Sequence, residues 1–290
     1  MIKIVTDSTG CVPPEIVRQY DIRVVPLNVH FGNERVFRDG VDLDSASFFK
    51  MLAEAPELPR TSQPSPGQFR EVFAELTRNG DAVLCIVISS GLSGTYQSAM
   101  DARHMLPEAQ IEVIDSQYVA GALAMLVHTA AQLAAEGRPM HEIVACVEYL
   151  KQHMHLYFVV DTLEYLHKGG RVGAAATLLG TLLKVKPILS IDQGIIKPLD
   201  RVRSKRKAVQ RMLAEFEAQA EPGLPLQGMV MHALVPEEAS ELEAELQRRL
   251  PCQRIIRPEV SAVIGVYTGP GVLGAAICPL ACPAAFHSRA

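Results

Sequence analysis

Short apolar runs alternate with longer amphipathic segments through the first half of the chain. The runs are bounded by turn residues, as extended strands are, and cover 1–6, 22–31, 82–87 and 111–114. The longer segments place apolar residues at helical spacing and cover 46–53, 67–78, 95–106, 118–136 and 140–153, after a short helix that starts near Pro14. Strands that alternate with helices predict right-handed βαβ units and a largely parallel sheet flanked by helices.

The pattern beyond residue 155 is more mixed. Extended runs cover 157–161, 187–191, 195–198, 226–233 and 253–258, and helical segments cover 163–166, 174–183, 204–220 and 236–250. Asp192, Gln193 and Gly194 separate two extended runs, which is a hairpin signature. We predict two α/β domains, an N-terminal domain at 1–154 and a mixed C-terminal domain at 155–290. The tail from Pro279 is expected to be loosely held.

Composition and charge narrow the function classes. The 290 residues include 48% hydrophobic and 21% charged residues, with a net charge of −4, which is typical of a soluble globular protein with a sizeable core. Nothing in this balance indicates binding to nucleic acid. The N-terminus lacks the layout of a signal peptide. The most apolar long segment, 118–135, contains His128 and Gln132, which favours a buried helix over a membrane span. We therefore expect a cytoplasmic protein with no integral membrane segment.

The cysteines and histidines do not form a metal-binding pattern. Of the six cysteines, only Cys278 and Cys282 lie close in sequence, with Pro279 between them and no histidine nearby. His153 and His155 lack neighbours at ligand spacing. We expect reduced thiols, most of them packed as small hydrophobic groups, and no metal or other cofactor.

Two hydroxyl-rich turns in the first half are candidate binding elements. Ser93 lies in a Gly-rich turn at 91–95, directly after a predicted strand, and such a strand-to-helix turn leaves N–H groups at the positive end of a helix dipole. Thr61 and Ser62 precede a Pro-containing turn that caps the next helix. Capping alone explains either turn. Their shared position after extended segments favours a common anion site.

An enzyme interpretation remains open beside this one. Ser93 follows a strand and precedes a helix, like the nucleophile of a serine hydrolase, although Thr95 stands where the second Gly of G-x-S-x-G belongs. His232 is the best candidate base and Asp161 a candidate orienting group. A serine acyl hydrolase that uses Ser93 is therefore the alternative function. The turn at 168–171 suits either an anion site or a basic helix C-cap, and the P-loop signature is absent.

Six sequence blocks together resemble the DegV family in order and spacing. They begin with Thr6-Asp7-Ser8-Thr9 and cover nearly the whole chain, the others lying at 61–66, 89–95, 161–171, 186–189 and 269–271. The resemblance implies a two-domain α/β protein that holds one long-chain fatty acid in a tunnel between the domains. It also implies a carrier that is not itself catalytic. Such carriers present the carboxylate to a fatty acid kinase, and the acyl phosphate then feeds phospholipid synthesis through acyl-phosphate acyltransferases.

The resemblance also assigns residues. The carboxylate-binding hydroxyls fall on Thr61 and Ser93, with Gly94 supplying a backbone donor, and Ser62 is included in the expected site beside Thr61. The basic residue that docks the kinase falls on Arg203, within the basic run at 201–207. On pattern alone that run also suits a solvated helix face or a DNA-contacting stripe, although no DNA-binding module accompanies it.

One position departs from the family pattern. Family members often carry a His two residues before the Gly-Pro-Gly turn, and this chain has Tyr267 there. A phenol donates a hydrogen bond to a carboxylate, but unlike a protonated imidazole it carries no positive charge.

The tunnel wall is expected along the apolar stretch at 174–189, with ordinary core packing as the alternative for any one residue. The leucines expected to face the ligand are Leu178, Leu179, Leu182 and Leu183.

Overall fold

Thirteen strands and ten α-helices make up the described part of a computed structural model, residues 1–178 and 185–283. The strands are β1 (Ile2–Asp7), β2 (Arg23–Val25), β3 (Asn28–Phe31), β4 (Arg35–Arg38), β5 (Arg60–Ser62), β6 (Ala82–Val87), β7 (Ile111–Asp115), β8 (His155–Val159), β9 (Lys186–Asp192), β10 (Ile195–Val202), β11 (Leu226–His232), β12 (Cys252–Ile256) and β13 (Leu273–Pro279). The helices are α1 (Pro14–Gln19), α2 (Ser45–Glu54), α3 (Pro66–Thr77), α4 (Thr95–His104), α5 (Ala120–Ala135), α6 (Met140–Gln152), α7 (Glu164–Lys168), α8 (Lys205–Gln219), α9 (Pro236–Arg249) and α10 (Ala262–Thr268).

The first sheet is parallel, as predicted, with the strand order β2-β1-β6-β7. Its central strand β6 is buried at every position. Alternate side chains of β6 therefore point to opposite faces of the sheet, and helices cover both faces. Val83 and Cys85 pack with Phe69 and Phe73 of α3, whereas Leu84 and Ile86 belong to the core that includes α5. Burial on both faces explains the continuous apolar run in this strand.

The extended run predicted at 22–31 is divided between two sheets. The chain leaves β2 at Val25, and after Pro26 and Leu27 it enters β3, which pairs antiparallel with β4 and β5 in a sheet of three strands. Proline lacks the N–H that a continuous strand would need. The Leu27 N–H instead donates to Ser8 Oγ at 3.1 Å. The single-strand prediction was therefore wrong at this break.

The second sheet is mixed, with the strand order β10-β9-β8-β13-β11-β12. The hairpin predicted at Asp192–Gly194 is confirmed, and both Gln193 and Gly194 have positive φ there, as a tight two-residue turn requires. Strand β13 lies between β8 and β11, and it is buried throughout. The expected looseness from Pro279 was wrong at its start, because Pro279 ends this strand and the Leu280 N–H donates to the Pro225 carbonyl at 2.8 Å.

Helix α5 packs between the two larger sheets. It contacts β1 and β6 of the first sheet and β11 and β13 of the second, and Gly121 lets its backbone approach Met229 and Met231 closely. Burial on all sides explains why this helix is apolar around its whole circumference. One buried cluster therefore includes side chains from both halves of the chain. The division into domains at residue 154 stays a prediction.

Three further expectations have an outcome in the structure. The helix predicted at 174–183 appears at its start as a 3-10 helix over Gly173–Leu178, and the rest lies outside the described residues. The expectation that the thiols are reduced was wrong for one pair, since Cys146 and Cys282 form a disulfide with Cα atoms 5.5 Å apart. None of the helices in the described ranges is long and apolar enough to cross a membrane.

Candidate functional site

A mainly apolar cavity lies where the first sheet, the small sheet and the second sheet meet. Its empty space is about 910 Å³ when the open solvent at the mouth is included. Apolar side chains from both halves of the chain line it, among them Leu27, Ile88 and Leu92 from the first half and Phe158, Ile196 and Val263 from the second. Most of these side chains are buried. The cavity therefore offers an apolar interior to a ligand.

Thr61 and Tyr267 form the centre of the polar lining. Thr61 is in β5, opposite Val29 of β3, and Tyr267 is near the end of α10. The Thr61 Oγ1 and Tyr267 OH atoms lie 2.5 Å apart, within hydrogen-bond distance. Gly169 makes room for the phenol, since a Cβ at that position would overlap the Tyr267 ring. Two hydroxyls that both donate and accept thus meet at a partly buried point of the cavity wall.

Arg171 adds a positive charge beside this pair. Its guanidinium carbon lies 5.1 Å from the centre of the Tyr267 ring, a cation–π distance. Its Nε–H donates to the Leu92 carbonyl at 3.2 Å, and an Nη–H donates to the Gly169 carbonyl at 2.9 Å. The side chain is exposed and lines the cavity. These bonds hold a permanent cation at the mouth and tie it to the loop that carries Ser93.

The Ser93 loop is tightly folded onto Ser89. The backbone N–H groups of Leu92 and Ser93 both donate to the Ser89 carbonyl at 3.0 Å. The Ser93 Oγ lies 2.8 Å from the Thr95 Oγ1 and accepts the Thr95 N–H at 3.3 Å. Ser93 lines the cavity just before α4 begins, and the Gly94 N–H makes no hydrogen bond to any described residue. The Ser93 hydroxyl therefore meets the cavity at the positive end of a helix, next to the Gly94 N–H.

Two expected ligand side chains, those of Ser62 and Leu178, do not line the cavity. Ser62 follows Thr61 in β5, so its side chain points to the opposite face. There its Oγ lies 2.9 Å from the His30 Nε2 and accepts from the Asn28 Nδ2 at 3.3 Å. Leu178 packs against the main core and is not among the cavity-lining residues. Contact of these two side chains with a ligand stays a prediction.

The remaining expected residues lie away from the cavity wall or outside the described part of the chain. Leu182, with Leu179 and Leu183, lies outside the described residues. Gly94 does not itself line the cavity but packs against Gln63, which does. Arg203 is exposed just before α8, where Ser204 caps the helix by accepting the Lys207 N–H at 3.3 Å.

A buried carboxyl holds the helix that carries Tyr267. Asp39 is 2% exposed, and its Oδ1 accepts the N–H of Ala262, the first residue of α10, at 3.0 Å. Ser261 caps the same helix through its side chain. Burial raises the pKa of the Asp39 carboxyl to about 6, against the lowering effect of its hydrogen bonds. Asp39 thus fixes α10 from a position outside the cavity.

The arrangement required for serine hydrolysis is not formed among the described residues. Ser93 contacts Thr95 through its hydroxyl, and no histidine of the described ranges lines the cavity. His232 ends β11 with a buried Nδ1 that has no hydrogen-bond partner in the described part of the chain. Asp161 pairs with Lys186 at 2.6 Å. Within residues 1–178 and 185–283 there is also no cluster of three potential metal ligands.

Sequence reasoning missed two residues of the mouth. Arg171 was interpreted only within a turn that suited either an anion site or a helix C-cap, and in the structure it donates to backbone carbonyls of the Leu92 loop and of its own turn. Gln63, which lies between Ser62 and the proline that follows, was assigned no role in binding. A polar side chain in the same block as Thr61 was the available signal for Gln63.

Comparisons with known proteins show the family and the fold of this chain. The model of the DegV family matches residues 1–280. Protein DegV of Bacillus subtilis is 37% identical over 278 residues, covering 96% of this chain and 99% of that protein. A solved structure from Thermus thermophilus, described as fatty acid binding of a DegV family protein, has a TM-score of 0.92 at 34% identity, covering 96% of this chain and 99% of its own. A stearic acid-binding protein from Eubacterium ventriosum has a TM-score of 0.89 at 28% identity, covering 96% and 98%. The chain belongs to the DegV family.

Proposed function

We propose that this protein binds one long-chain fatty acid, with the acyl tail in the apolar cavity and the carboxylate at the mouth. The observation that carries the proposal is the hydrogen-bonded pair Thr61–Tyr267, with Arg171 beside it, at the polar wall of an otherwise apolar cavity. The Ser93 hydroxyl and the Gly94 N–H supply further donors to the carboxylate. Arg171 supplies the positive charge that Tyr267 lacks at neutral pH.

The two parts of the ligand have different energetic roles. Burial of about fifteen methylene groups at about 0.8 kcal/mol each contributes about 12 kcal/mol before the costs of association. A hydrogen bond to a charged group contributes only about 1.5–3 kcal/mol. The tail therefore sets affinity, and the mouth sets the position of the carboxylate.

We further propose that the protein is a carrier that presents this carboxylate to a fatty acid kinase in the cytoplasm. Thr61 and Ser93 hold the acid at a partly exposed site where a partner can reach it. Arg203, which is exposed beside α8, is the proposed docking residue for the kinase. The acyl phosphate formed would then pass to acyl-phosphate acyltransferases. Domains at 1–154 and 155–290, with the cavity between them, complete the proposal.

A coupled assay tests the carrier function. Protein loaded with hexadecanoate, mixed with the kinase of the same organism and ATP, is expected to yield acyl phosphate, measured by trapping with hydroxylamine. Arg203→Glu is expected to lower this yield while lipid stays bound, and Lys207→Glu, a charge reversal four residues further along, is the matched control. An equal yield from Arg203→Glu and wild type would contradict the docking role. Loss of lipid from Arg203→Glu would instead indicate a structural role.

The acyl hydrolase alternative has its own test. Ser93 would need a base, and the nearest hydroxyl partner it has is Thr95. Turnover of a p-nitrophenyl ester that disappears in Ser93→Ala would favour the hydrolase over the carrier. We expect no such turnover.

A further inference from the structure

Gln63 lies between the two hydroxyl elements of the mouth. It follows β5, two residues beyond Thr61, and lines the same cavity as Thr61, Ser93 and Tyr267. Its side chain is exposed, and its amide makes no hydrogen bond to any residue in the described ranges. A glutamine amide carries two N–H donors and an acceptor oxygen. Donors of this kind are therefore free at the place where the ligand headgroup arrives.

The backbone that carries Gln63 is held rigidly. Pro64 follows it and is buried, and a proline restricts the preceding residue to extended backbone. Ser65 then caps α3 in a reciprocal arrangement with Gln68, whose Oε1 accepts the Ser65 N–H at 2.9 Å. On the other side, Thr61 is fixed in the small sheet by its pairing with β3. The amide thus projects from a defined corner rather than from a mobile loop.

Gly94 provides the space that the amide occupies. A Cβ added to Gly94 would lie 2.5 Å from Nε2 of Gln63, 3.0 Å from its Cδ and 3.3 Å from its Oε1. All three amide atoms therefore lie against the Gly94 backbone, next to Ser93. The φ of Gly94 is −73°, which any residue adopts. Close approach of Gln63, rather than backbone conformation, is what a side chain at position 94 would disturb.

We propose that the Gln63 amide donates to an oxygen of the ligand carboxylate, and that it selects an ionised acid over a neutral lipid headgroup. This inference rests on the proposed fatty-acid binding. The hydroxyls of Thr61, Ser93 and Tyr267 can donate to or accept from an acid or an alcohol alike. A donor placed beside them gains most from a charged acceptor, since hydrogen bonds to ionised groups are about twice as strong as neutral ones.

Binding of hexadecanoate and hexadecanol to delipidated protein tests the proposal. Equilibrium dialysis with each labelled ligand would compare wild type, Gln63→Ala, Gln63→Glu and the control Gln97→Ala, an exposed amide on α4 outside the cavity. For Gln63→Ala we expect about fivefold or greater weakening for the acid and less than about twofold for the alcohol. Gln63→Glu, which places an anion there, is expected to weaken acid binding further and to leave alcohol binding near the wild-type level.

Gly94→Ala provides a second, independent readout. Displacement of the amide by the new methyl group is expected to weaken acid binding, and Gln63→Ala is then expected to add little in the double variant. Equal weakening for acid and alcohol in Gln63→Ala, or unchanged acid binding in both Gln63 variants, would overturn the inference while fatty-acid binding stands. Wild type that binds neither ligand would overturn the proposed function itself.

Discussion

Thr61 and Tyr267 are 206 residues apart in the chain, and their hydroxyl oxygens lie 2.5 Å apart in the cavity wall. One belongs to a three-residue strand of the small sheet and the other to a short helix of the second half. A ligand carboxylate that reaches either hydroxyl also meets the other. The two halves of the chain therefore contribute jointly to the proposed headgroup site.

The first prediction concerns this pair in a double-mutant cycle. Thr61→Val and Tyr267→Phe each remove one partner, and a single hydrogen bond contributes about 0.5–1.5 kcal/mol to stability. The double variant is therefore expected to lose less free energy of unfolding than the sum of the two single losses. Urea unfolding of the delipidated wild type, the two single variants and the double variant measures the four free energies of unfolding.

Ser62→Ala is the matched control for this cycle. It removes a hydroxyl from the same strand but on the opposite face, where His30 and Asn28 are its partners. We expect its effect on stability to add to that of Tyr267→Phe. Strict additivity of Thr61→Val with Tyr267→Phe would show that the two hydroxyls do not interact.

The second prediction separates tail binding from headgroup placement. Ser93→Ala removes a single donor from the mouth, so hexadecanoate is expected to remain bound because the tail supplies most of the affinity. The environment of the carboxylate is expected to change, which carboxyl-13C hexadecanoate would report as a shifted NMR signal. A carboxyl signal identical to that of wild type would contradict contact between Ser93 and the headgroup.

The third prediction concerns the charge of Arg171. Arg171→Gln removes the cation beside Tyr267, so binding of the ionised acid is expected to weaken about tenfold and to lose part of its dependence on salt. Arg171→Lys is expected to be intermediate, because it keeps the charge but loses the paired bonds to Leu92 and Gly169. Titrations at low and high salt measure both effects. Equal salt dependence in all three proteins would contradict an electrostatic role.

The fourth prediction concerns the width of the cavity. Val263 is 3% exposed and lines the cavity from α10. Val263→Phe is expected to shift the bound acids toward shorter chains, and Val263→Ala, at the same position, is expected to admit longer chains. Mass spectrometry of the acids retained from an equimolar mixture gives both profiles. The same profile in wild type and both variants would place the acyl tail elsewhere.

The fifth prediction follows from the titration of Asp39. Its pKa of about 6 in the folded protein exceeds the value of about 3.9 in an unfolded chain. The folded state therefore binds the proton more tightly. The stabilisation from protonated Asp39 is complete below a pH of about 4 and is lost as the pH rises to about 6. Asp39→Asn, which does not ionise, is expected to gain stability relative to wild type across that interval.

Asp42 provides the control for this pH dependence. Its hydrogen bonds from Arg38 lower the pKa of the Asp42 carboxyl to about 2, so its contribution is present above a pH of about 4 and is lost below it. The stability difference between wild type and Asp42→Asn is therefore expected to be flat above a pH of about 5. Urea unfolding of wild type, Asp39→Asn and Asp42→Asn at several pH values measures both differences in the free energy of unfolding. A flat profile for Asp39→Asn would show that Asp39 keeps an ordinary pKa in the fold.

The local sequence pattern was sufficient to predict many of the strands and helices. The run at Ala82–Val87 is rich in β-branched residues and is a strand with the predicted bounds, and α8 begins after its Ser204 cap, at the start of the predicted segment 204–220. The helix α10 and the strand β13 were not predicted. Strand β13 consists largely of small residues such as Gly274, Ala275 and Ala276, and its conformation depends on pairing with β8 and β11 rather than on its own propensity.

The site was predictable only where a motif marked a turn. Thr61 and Ser93 were found because each lies in a hydroxyl-rich block next to a helix start, and both line the cavity. The partners of Ser62 could not be predicted, because a sequence block does not show on which face of a strand a side chain lies until the strand has partners. Arg171 was not predicted to lie at the cavity mouth, because the residues that it contacts there, Tyr267 and Leu92, are distant in sequence.

Native mass spectrometry of the purified protein, before and after denaturation and extraction, tests the central claim most directly. We predict a native mass that exceeds the chain by one long-chain fatty acid, which the organic extract then contains. Protein that lacks this added mass, and that still takes up no hexadecanoate when the acid is supplied in excess, would contradict the account.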